Sequence, residues 1–210
     1  MPPMIGLLHY RITAKFSRQS IQRWTVQHVA PEYIGAHISQ PSSKQTGRTF
    51  SLGFRAATAV FYSFGIEWDI TTASQDDLDE LAAWITWYKE HREFLHGGNY
   101  HRFDIVDPSV TGYGVVSNDG SRAIIAHVQE EESPSNRGSY MRIAGLDPQG
   151  KYCVQWTGPE AAKAALESLD PYGPFGKAEV SGSFLESVGI RMPRCNPETI
   201  RLFEIRRVTL

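Results

Sequence analysis

Residues 74–98 read SQDDLDELAAWITWYKEHREFLHGG, and this stretch separates two parts of the chain that have different patterns. Ser74 with Asp77 three residues later approximates a capping box, and acidic residues suit the first turn of a helix. Apolar side chains then repeat at helical spacing, at Leu78, Leu81, Ala82, Ile85 and Tyr88. Gly97 and Gly98 end the pattern. The stretch therefore predicts a long helix with one buried face.

Two further helices are predicted before this one. The segment Arg18–Val29 carries apolar residues at helical spacing and is stopped by Pro31. The segment Ser51–Phe64 combines small and large apolar residues, and Gly65 is its predicted C′ residue. The polar stretch Ser39–Thr49 between them is predicted to be a loop. No predicted sheet partners these helices, which leaves four tryptophans in need of burial: Trp24, Trp68, Trp84 and Trp87.

Short strand-like segments follow Gly98. The predicted strands are Tyr100–Val106, Tyr113–Ser117, Arg122–Gln129, Tyr140–Ile143, Lys151–Trp156 and Ile200–Val208. Asn118-Asp119-Gly120 is a strong hairpin signal between the second and third of them. Strands at this spacing indicate an antiparallel sandwich, so the chain as a whole is expected to be α+β.

Composition excludes several classes of partner and site. The 210 residues carry a net charge of −2 with scattered basic residues, so no nucleic-acid surface is expected. No apolar run is long enough to span a membrane, and no signal peptide is evident at the N-terminus. Cys153 and Cys195 are more readily explained as buried free thiols than as a disulfide. These features predict a cytoplasmic protein.

The residues that carry chemistry form no recognisable catalytic motif. His91, His96 and His101 are spaced by five residues, which does not suit a helical metal site, so no metal is expected. Ser181-Gly182-Ser183 lies in a turn-like stretch and lacks the pattern of a nucleophile elbow. These signals leave the chain without an identifiable active site.

One pair of acidic residues has the composition that a glycosidase requires. Glu67 and Asp69 flank Trp68, and glycosidases use two carboxylates. The structural alternative is that Ile66, Trp68 and Ile70 form a buried face while the acids meet solvent. His37 and Arg48 belong to a polar loop that could line a site or could simply stabilise itself.

Several ordered blocks resemble α-galactosidases of glycoside hydrolase family 36, the melibiases. Pro31–Ser39 reads PEYIGAHIS, residues 45–49 read QTGRT, and Phe64–Thr71 reads FGIEWDIT. Two shorter blocks, Arg18–Trp24 and Tyr88–Arg92, extend the match. The resemblance implies the last helical part of a (β/α)8 TIM barrel in residues 1–97, followed by a C-terminal antiparallel β-sandwich domain in residues 98–210.

The resemblance also implies which groups are missing. Retaining enzymes of this type use an aspartate nucleophile and an aspartate acid/base. The acid/base belongs to a W-T-S-D-like motif whose place falls near Arg11, where no such motif stands, and residues 1–17 depart from the pattern. No catalytic or substrate-binding residue is therefore assigned. His37, Ser39 and Arg48 are expected to have only a supporting role at the rim of the barrel.

The predicted function is that of a C-terminal fragment of a retaining α-galactosidase, inactive alone, whose complete form removes terminal α-linked galactose from oligosaccharides. A gene break, a frameshift or a split subunit would each explain the missing motif. The alternatives are a non-catalytic β-sandwich module that binds carbohydrate or protein, with Tyr100, Tyr113, Tyr140 or Trp156 as stacking platforms, and one half of a split glycosidase. An exposed barrel-facing surface predicts self-association or docking to a missing barrel segment.

Overall fold

The computed structural model describes residues 15–42, 47–135, 138–161, 179–192 and 194–208, and side chains from residue 19 onward. The helices are α1 (Lys15–Thr25), α2 (Leu52–Ala59), α3 (Gln75–Gly97) and α4 (Gly182–Ser187). The strands are β1 (Gly35–Ser39), β2 (Ser63–Glu67), β3 (Asn99–Phe103), β4 (Val110–Val116), β5 (Arg122–Gln129), β6 (Ser139–Met141), β7 (Lys151–Thr157), β8 (Glu179–Ser181), β9 (Ile190–Met192) and β10 (Thr199–Arg207). The predicted α+β class is confirmed.

Helix α3 begins where its capping signal predicts. The Ser74 hydroxyl oxygen accepts from the Asp77 backbone N–H at 3.1 Å and donates to the Asp77 carboxylate at 2.8 Å. The buried face differs from the predicted one, because Trp84 and Trp87 are buried whereas Ala82 is exposed. Burial follows the large indole rings, which contribute far more apolar area than an alanine.

A six-stranded antiparallel sheet forms the centre of the second half. Its strand order is β3-β4-β5-β10-β7-β8, and β6 with β9 forms a separate two-stranded antiparallel sheet. The predicted hairpin between β4 and β5 is confirmed: Gly120 there has a φ of 65°, which favours glycine. Ser181, predicted to lie in a turn, ends β8 and caps α4 by accepting from the Phe184 N–H at 3.2 Å.

Both faces of the large sheet are buried. One face packs against α2 and α3, and its side chains include Tyr113, Ile124 and Leu202. The opposite face packs with residues of β6 and β9, among them Met141 and Met192. Because residues before and after Gly98 share the first of these cores, the helices are covered by the antiparallel sheet. The arrangement of the second half as a sandwich stays a prediction.

Two strands in the first half correct the sequence-based prediction. Residues Gly35–Ser39 form β1, a strand that the sequence did not predict and whose last residue was expected to begin the loop, and the predicted helix Ser51–Phe64 ends at Ala59. Gly65, expected to follow that helix, lies inside β2. Strands β1 and β2 pair in parallel and are joined through α2. Residues Ser63–Glu67 form a strand instead of continuing the helix. A five-residue apolar segment is compatible with either structure by itself, and pairing with β1 favours the strand.

Three further expectations are modified by the structure. Trp24 is 56% exposed, although it was expected to need burial, and Trp68 is half-buried. Neither Cys153 nor Cys195 forms a disulfide, as predicted, but both are only half-buried and not buried as expected. Among the described helices, none has the length and apolar character to cross a membrane.

Candidate functional site

The parallel strands β1 and β2 place polar residues on one face. In their register, His37 lies opposite Gly65, and Ser39 lies opposite Glu67. Ala36 and Ile38 alternate with these residues on β1 and are buried on the other face. Because both strands run in the same direction, Ser39 and Glu67 meet at the carboxyl-terminal edge of the pair. Open and closed parallel sheets bind their ligands at this edge.

The His37 ring is positioned by its neighbours on both strands. A Cβ atom built on Gly65 would lie 2.5 Å from His37 Cδ2, and one on Gly35 would lie 3.4 Å from His37 Cε1. The absence of a side chain on Gly65 is thus what allows the imidazole to lie flat across β2. The His37 ring lies on the polar face of the β1–β2 pair. When neutral, it has one nitrogen that donates a hydrogen bond and one that accepts.

Arg55 connects the ends of the two strands, and sequence reasoning missed it. Its side chain, only 4% exposed, donates through Nη1 to the Ser39 carbonyl and through Nε to the Ser51 carbonyl at 3.2 Å. The guanidinium carbon also lies 5.1 Å from the centre of the Trp68 ring, just beyond β2. Burial lowers the pKa of Arg55, against the opposing charges of Asp77 and Glu80. A lone arginine within an apolar helix was the available signal.

Arg48 is directed toward the second half of the chain. Its guanidinium forms an ion pair with Glu198, in the loop before β10, and lies 5.7 Å from the centre of the Phe50 ring. About half of the Arg48 side chain is exposed. The structure therefore brings His37 and Ser39 together on β1, whereas the ion-pair partner of Arg48 belongs to the β half.

Glu67 and Asp69 are both exposed, and Asp69 has a local structural role. Its carboxylate accepts from the Thr71 N–H at 3.1 Å and from the Thr71 hydroxyl at 2.6 Å, at the start of a 3-10 turn over Ile70–Thr72. These hydrogen bonds lower the pKa of Asp69. The expected burial of the apolar residues around this acid is wrong, because Ile66 is 41% and Ile70 is 49% exposed.

A buried hydrogen-bonded chain fixes α1 against this region. The Tyr113 hydroxyl on β4 donates to Gln19 Oε1 at 3.0 Å, and Gln19 Nε2 donates to the Thr58 hydroxyl at 2.7 Å. Thr58 in turn donates to the Phe54 carbonyl at 2.7 Å. Three elements, β4, α1 and α2, are thus joined through polar atoms that would be costly to leave unpaired.

No metal-binding cluster appears in the described parts of the chain, where no three His, Cys, Asp or Glu side chains lie close enough to hold an ion. His91 Nδ1 lies 2.8 Å from the Trp87 carbonyl, and His96 Nε2 lies 3.0 Å from the Tyr88 hydroxyl. These two histidines therefore take part in hydrogen bonds along α3. What the β1–β2 edge offers is a set of hydrogen-bonding groups rather than a pair of matched catalytic carboxylates.

Two family models match the chain in succession. The model described as Melibiase matches residues 11–98, and the model described as Glycosyl hydrolase family 36 C-terminal domain matches residues 110–201. The first match contains β1, β2 and all of α3. It also includes residues 11–17, so the expectation that residues 1–17 depart from the family pattern is wrong for residues 11–17.

The similar curated proteins are longer α-galactosidases. An alpha-galactosidase of Escherichia coli is 28% identical over 208 residues, which cover 94% of this chain and 29% of the relative. Alpha-galactosidase AgaA of Geobacillus stearothermophilus is 29% identical, over 70% of this chain and 20% of the relative. The chain thus spans less than a third of the length of these relatives.

Solved structures show the same partial coverage. The alpha-galactosidase from Lactobacillus brevis aligns with a TM-score of 0.77 at 26% identity, over 94% of this chain and 25% of that one. A variant of AgaA in complex with raffinose aligns with a TM-score of 0.76 at 25% identity, over 93% of this chain and 25% of that one. The fold described above therefore matches a contiguous quarter of larger glycosidases.

Proposed function

Because the chain belongs to glycoside hydrolase family 36, we propose that it supplies the C-terminal portion of a retaining α-galactosidase. The observation that carries the proposal is the parallel β1–β2 pair, joined through α2, with polar residues at its carboxyl-terminal edge. In this proposal the pair forms two strands of a (β/α)8 barrel whose other strands come from elsewhere. The antiparallel half buttresses the barrel from outside.

The exposure of the β1–β2 pair supports this arrangement. Parallel sheets are ordinarily covered on both faces. Here the described strands leave β1 paired only with β2, and Glu67 and Ile66 on β2 are exposed. Further barrel strands would cover these residues and would pair the outer backbone edges of β1 and β2.

Hydrolysis in the complete enzyme requires two carboxylates about 5 Å apart, one as nucleophile and one as acid then base. Asp69 is a poor acid for this role, because its hydrogen bonds from Thr71 favour the ionised form. Glu67 lies at the correct edge of the strands, but its partner in the register is Ser39 and not a second acid. The 210-residue chain alone is therefore proposed to be inactive.

The chain's own residues would have supporting roles in the complete enzyme. His37 and Ser39 would help to shape the rim of the barrel, and Arg55 would hold the carboxyl-terminal end of β1 in place. Removal of terminal α-linked galactose from oligosaccharides such as raffinose and melibiose is the proposed reaction. Since two carboxylates suffice for it, the proposed reaction requires no cofactor.

The first test is release of nitrophenol from para-nitrophenyl α-galactoside by the purified 210-residue chain at high protein concentration. We expect no release above that of a mock purification. Turnover that is lost in both Glu67→Gln and Asp69→Asn variants, but kept in an Asp79→Asn control on the exposed side of α3, would contradict the proposal. It would show that these two acids form a catalytic pair.

A second candidate function is one half of a split glycosidase, in which a separate chain supplies the missing strands. The free edges of the parallel pair favour it, because an added strand would dock there through backbone hydrogen bonds. A neighbouring reading frame that ends in a W-T-S-D-like motif, and whose product co-purifies with this chain, would establish the split form.

A further inference from the structure

A groove on the antiparallel half of the chain has the size and lining of a small-molecule site. It has a volume of about 580 Å³ and is bounded by residues after β3, by β6 and by the end of α4. Binding sites for small molecules commonly have volumes of about 300–1,000 Å³. The groove lies on the side of the large sheet that faces β6 and β9, whereas β1 and β2 pack with the core on the other side.

Apolar side chains line this groove without being buried. Val106 is 95% exposed, Val188 is 46% exposed, and Tyr140 is 52% exposed. On β6 the two neighbours of Tyr140 are buried, so the alternation of the strand turns the phenol ring away from the core. Of the four aromatic residues considered as stacking platforms, Tyr113 is fully buried, and only Tyr140 is both exposed and in a groove.

Two opposite charges stand beside the apolar lining. Asp104 and Arg142 are neighbours, since the Arg142 N–H donates to the Asp104 carbonyl at 3.5 Å. Within the described residues, neither side chain takes part in a salt bridge, and both line the groove. A carboxylate only accepts hydrogen bonds, whereas a guanidinium only donates them. The two charges together leave the groove without a net charge, so it does not favour a ligand of one sign.

A third polar group completes the lining. The Ser187 hydroxyl donates to the Ser183 carbonyl within α4, so its oxygen lone pairs remain able to accept. The groove therefore combines an exposed aromatic face with a donor and two acceptors. A ligand without net charge, with an apolar face for the ring and with hydroxyl groups that both donate and accept, matches this lining.

We propose that this groove binds a neutral carbohydrate of one or two pyranose rings, without cleaving it. The Tyr140 ring packs on the face of the sugar that carries C–H groups, Asp104 accepts from hydroxyls, and Arg142 donates to them. The proposal does not depend on the barrel or on hydrolysis, because every residue involved belongs to the antiparallel half of the chain.

Equilibrium dialysis of the whole chain against radiolabelled raffinose tests this proposal, whether or not the chain self-associates. We expect saturable binding with a dissociation constant in the millimolar range. Tyr140→Ala should weaken binding by about fivefold, the value expected for a lost aromatic contact, while Tyr140→Phe should preserve it. Asp104→Asn and Arg142→Gln should each weaken binding as well. Tyr33→Ala, at a tyrosine that is 75% exposed in the first half of the chain, is the matched control and should have no effect.

Three results would overturn the proposal. They are the absence of saturable binding by the unmodified chain, equal binding by the Tyr140→Ala variant, and an equal loss in the Tyr33→Ala variant. Light scattering on the same samples tests whether a second copy of the chain, instead of a sugar, occupies the groove. If Tyr140→Ala lowers the mass of the particle without changing sugar binding, a second copy of the chain occupies the groove.

Discussion

Two buried basic side chains, Arg55 and His127, have contrasting environments. Arg55 is 4% exposed and donates to two backbone carbonyls, which stabilises its charged form. His127, on β5, is 1% exposed, and neither of its ring nitrogens has a hydrogen-bond partner among the described residues. A buried imidazole without partners is disfavoured in its charged form. Arg55 therefore connects elements, whereas His127 makes stability depend on pH.

Burial has a larger effect on the pKa of His127 than its charged neighbours have. Burial lowers the pKa of His127 to about 4, with Arg201 on β10 acting in the same direction and Asp107 opposing it. In the unfolded chain the value returns to about 6.5. Between these two values the unfolded state binds a proton that the folded state does not bind. The stabilisation is thus complete above about pH 6.5 and is lost as the pH falls toward 4.

The prediction is that the free energy of unfolding falls by about 2 kcal/mol between about pH 7 and about pH 4.5 through this residue alone. In urea unfolding, the free energy of unfolding of the His127→Leu variant should fall by about 2 kcal/mol less over this pH interval than that of the unmodified chain. His28→Leu, at an exposed histidine, should leave the loss unchanged. Identical pH dependence in the unmodified chain and in His127→Leu would rule out this account.

At the scale of elements, Arg55 links the end of β1 to Trp68, which lies just after β2. Replacing Arg55 with Met removes the side-chain donor to the Ser39 carbonyl, whereas the Ser51 carbonyl keeps the backbone N–H of residue 55 as a donor. We expect the free energy of unfolding to fall by about 1–3 kcal/mol, and the amides at the end of β1 to exchange with solvent faster. Arg55→Lys should recover little, because an ammonium group cannot reproduce the planar fork.

Hydrogen exchange and urea unfolding measure both effects, with Arg92→Met, at an exposed arginine of α3, as the control. Faster exchange confined to β1 would support the connecting role. Unchanged exchange at β1 together with unchanged stability would show that Arg55 is dispensable there.

Elements with strong local signals were predictable from the sequence, and elements defined by pairing were not. The start of α3 follows from Ser74, and β5 was predicted with its observed bounds, Arg122–Gln129. Strand β1 was missed because GAHIS has weak local preference and becomes a strand only by pairing with β2. For the same reason helix α2 was predicted to run through Phe64. Long-range pairing is a tertiary effect that overrides propensity in such short segments.

The candidate site was predictable only in part. His37 and Ser39 were selected because they lie in the blocks that resemble the family. The structure places both on β1, where they pair with Gly65 and Glu67 of β2. Arg55 lies within the predicted helix Ser51–Phe64 but was not selected, because its burial depends on the packing around that helix. The Tyr140 groove could not be found from sequence, since its lining comes from three separated segments.

At the scale of the whole molecule, the two halves differ in how completely they are covered. The antiparallel sheet is buried on both faces, whereas Ile66 of the parallel pair and Ile70 of the 3-10 turn after it are exposed to solvent. Exposed apolar surface of this kind promotes association. Self-association through the parallel pair, or docking of the remaining barrel strands on it, stays a prediction.

The most direct measurement is the α-galactosidase activity of a chimera in which residues 18–208 of this chain replace their counterpart in the Escherichia coli relative, so that the relative supplies both catalytic carboxylates. We expect hydrolysis of para-nitrophenyl α-galactoside by the chimera, and none by the E. coli protein that lacks the segment. A chimera that folds with the secondary structure and the mass of the parent enzyme, yet releases no nitrophenol, would contradict it.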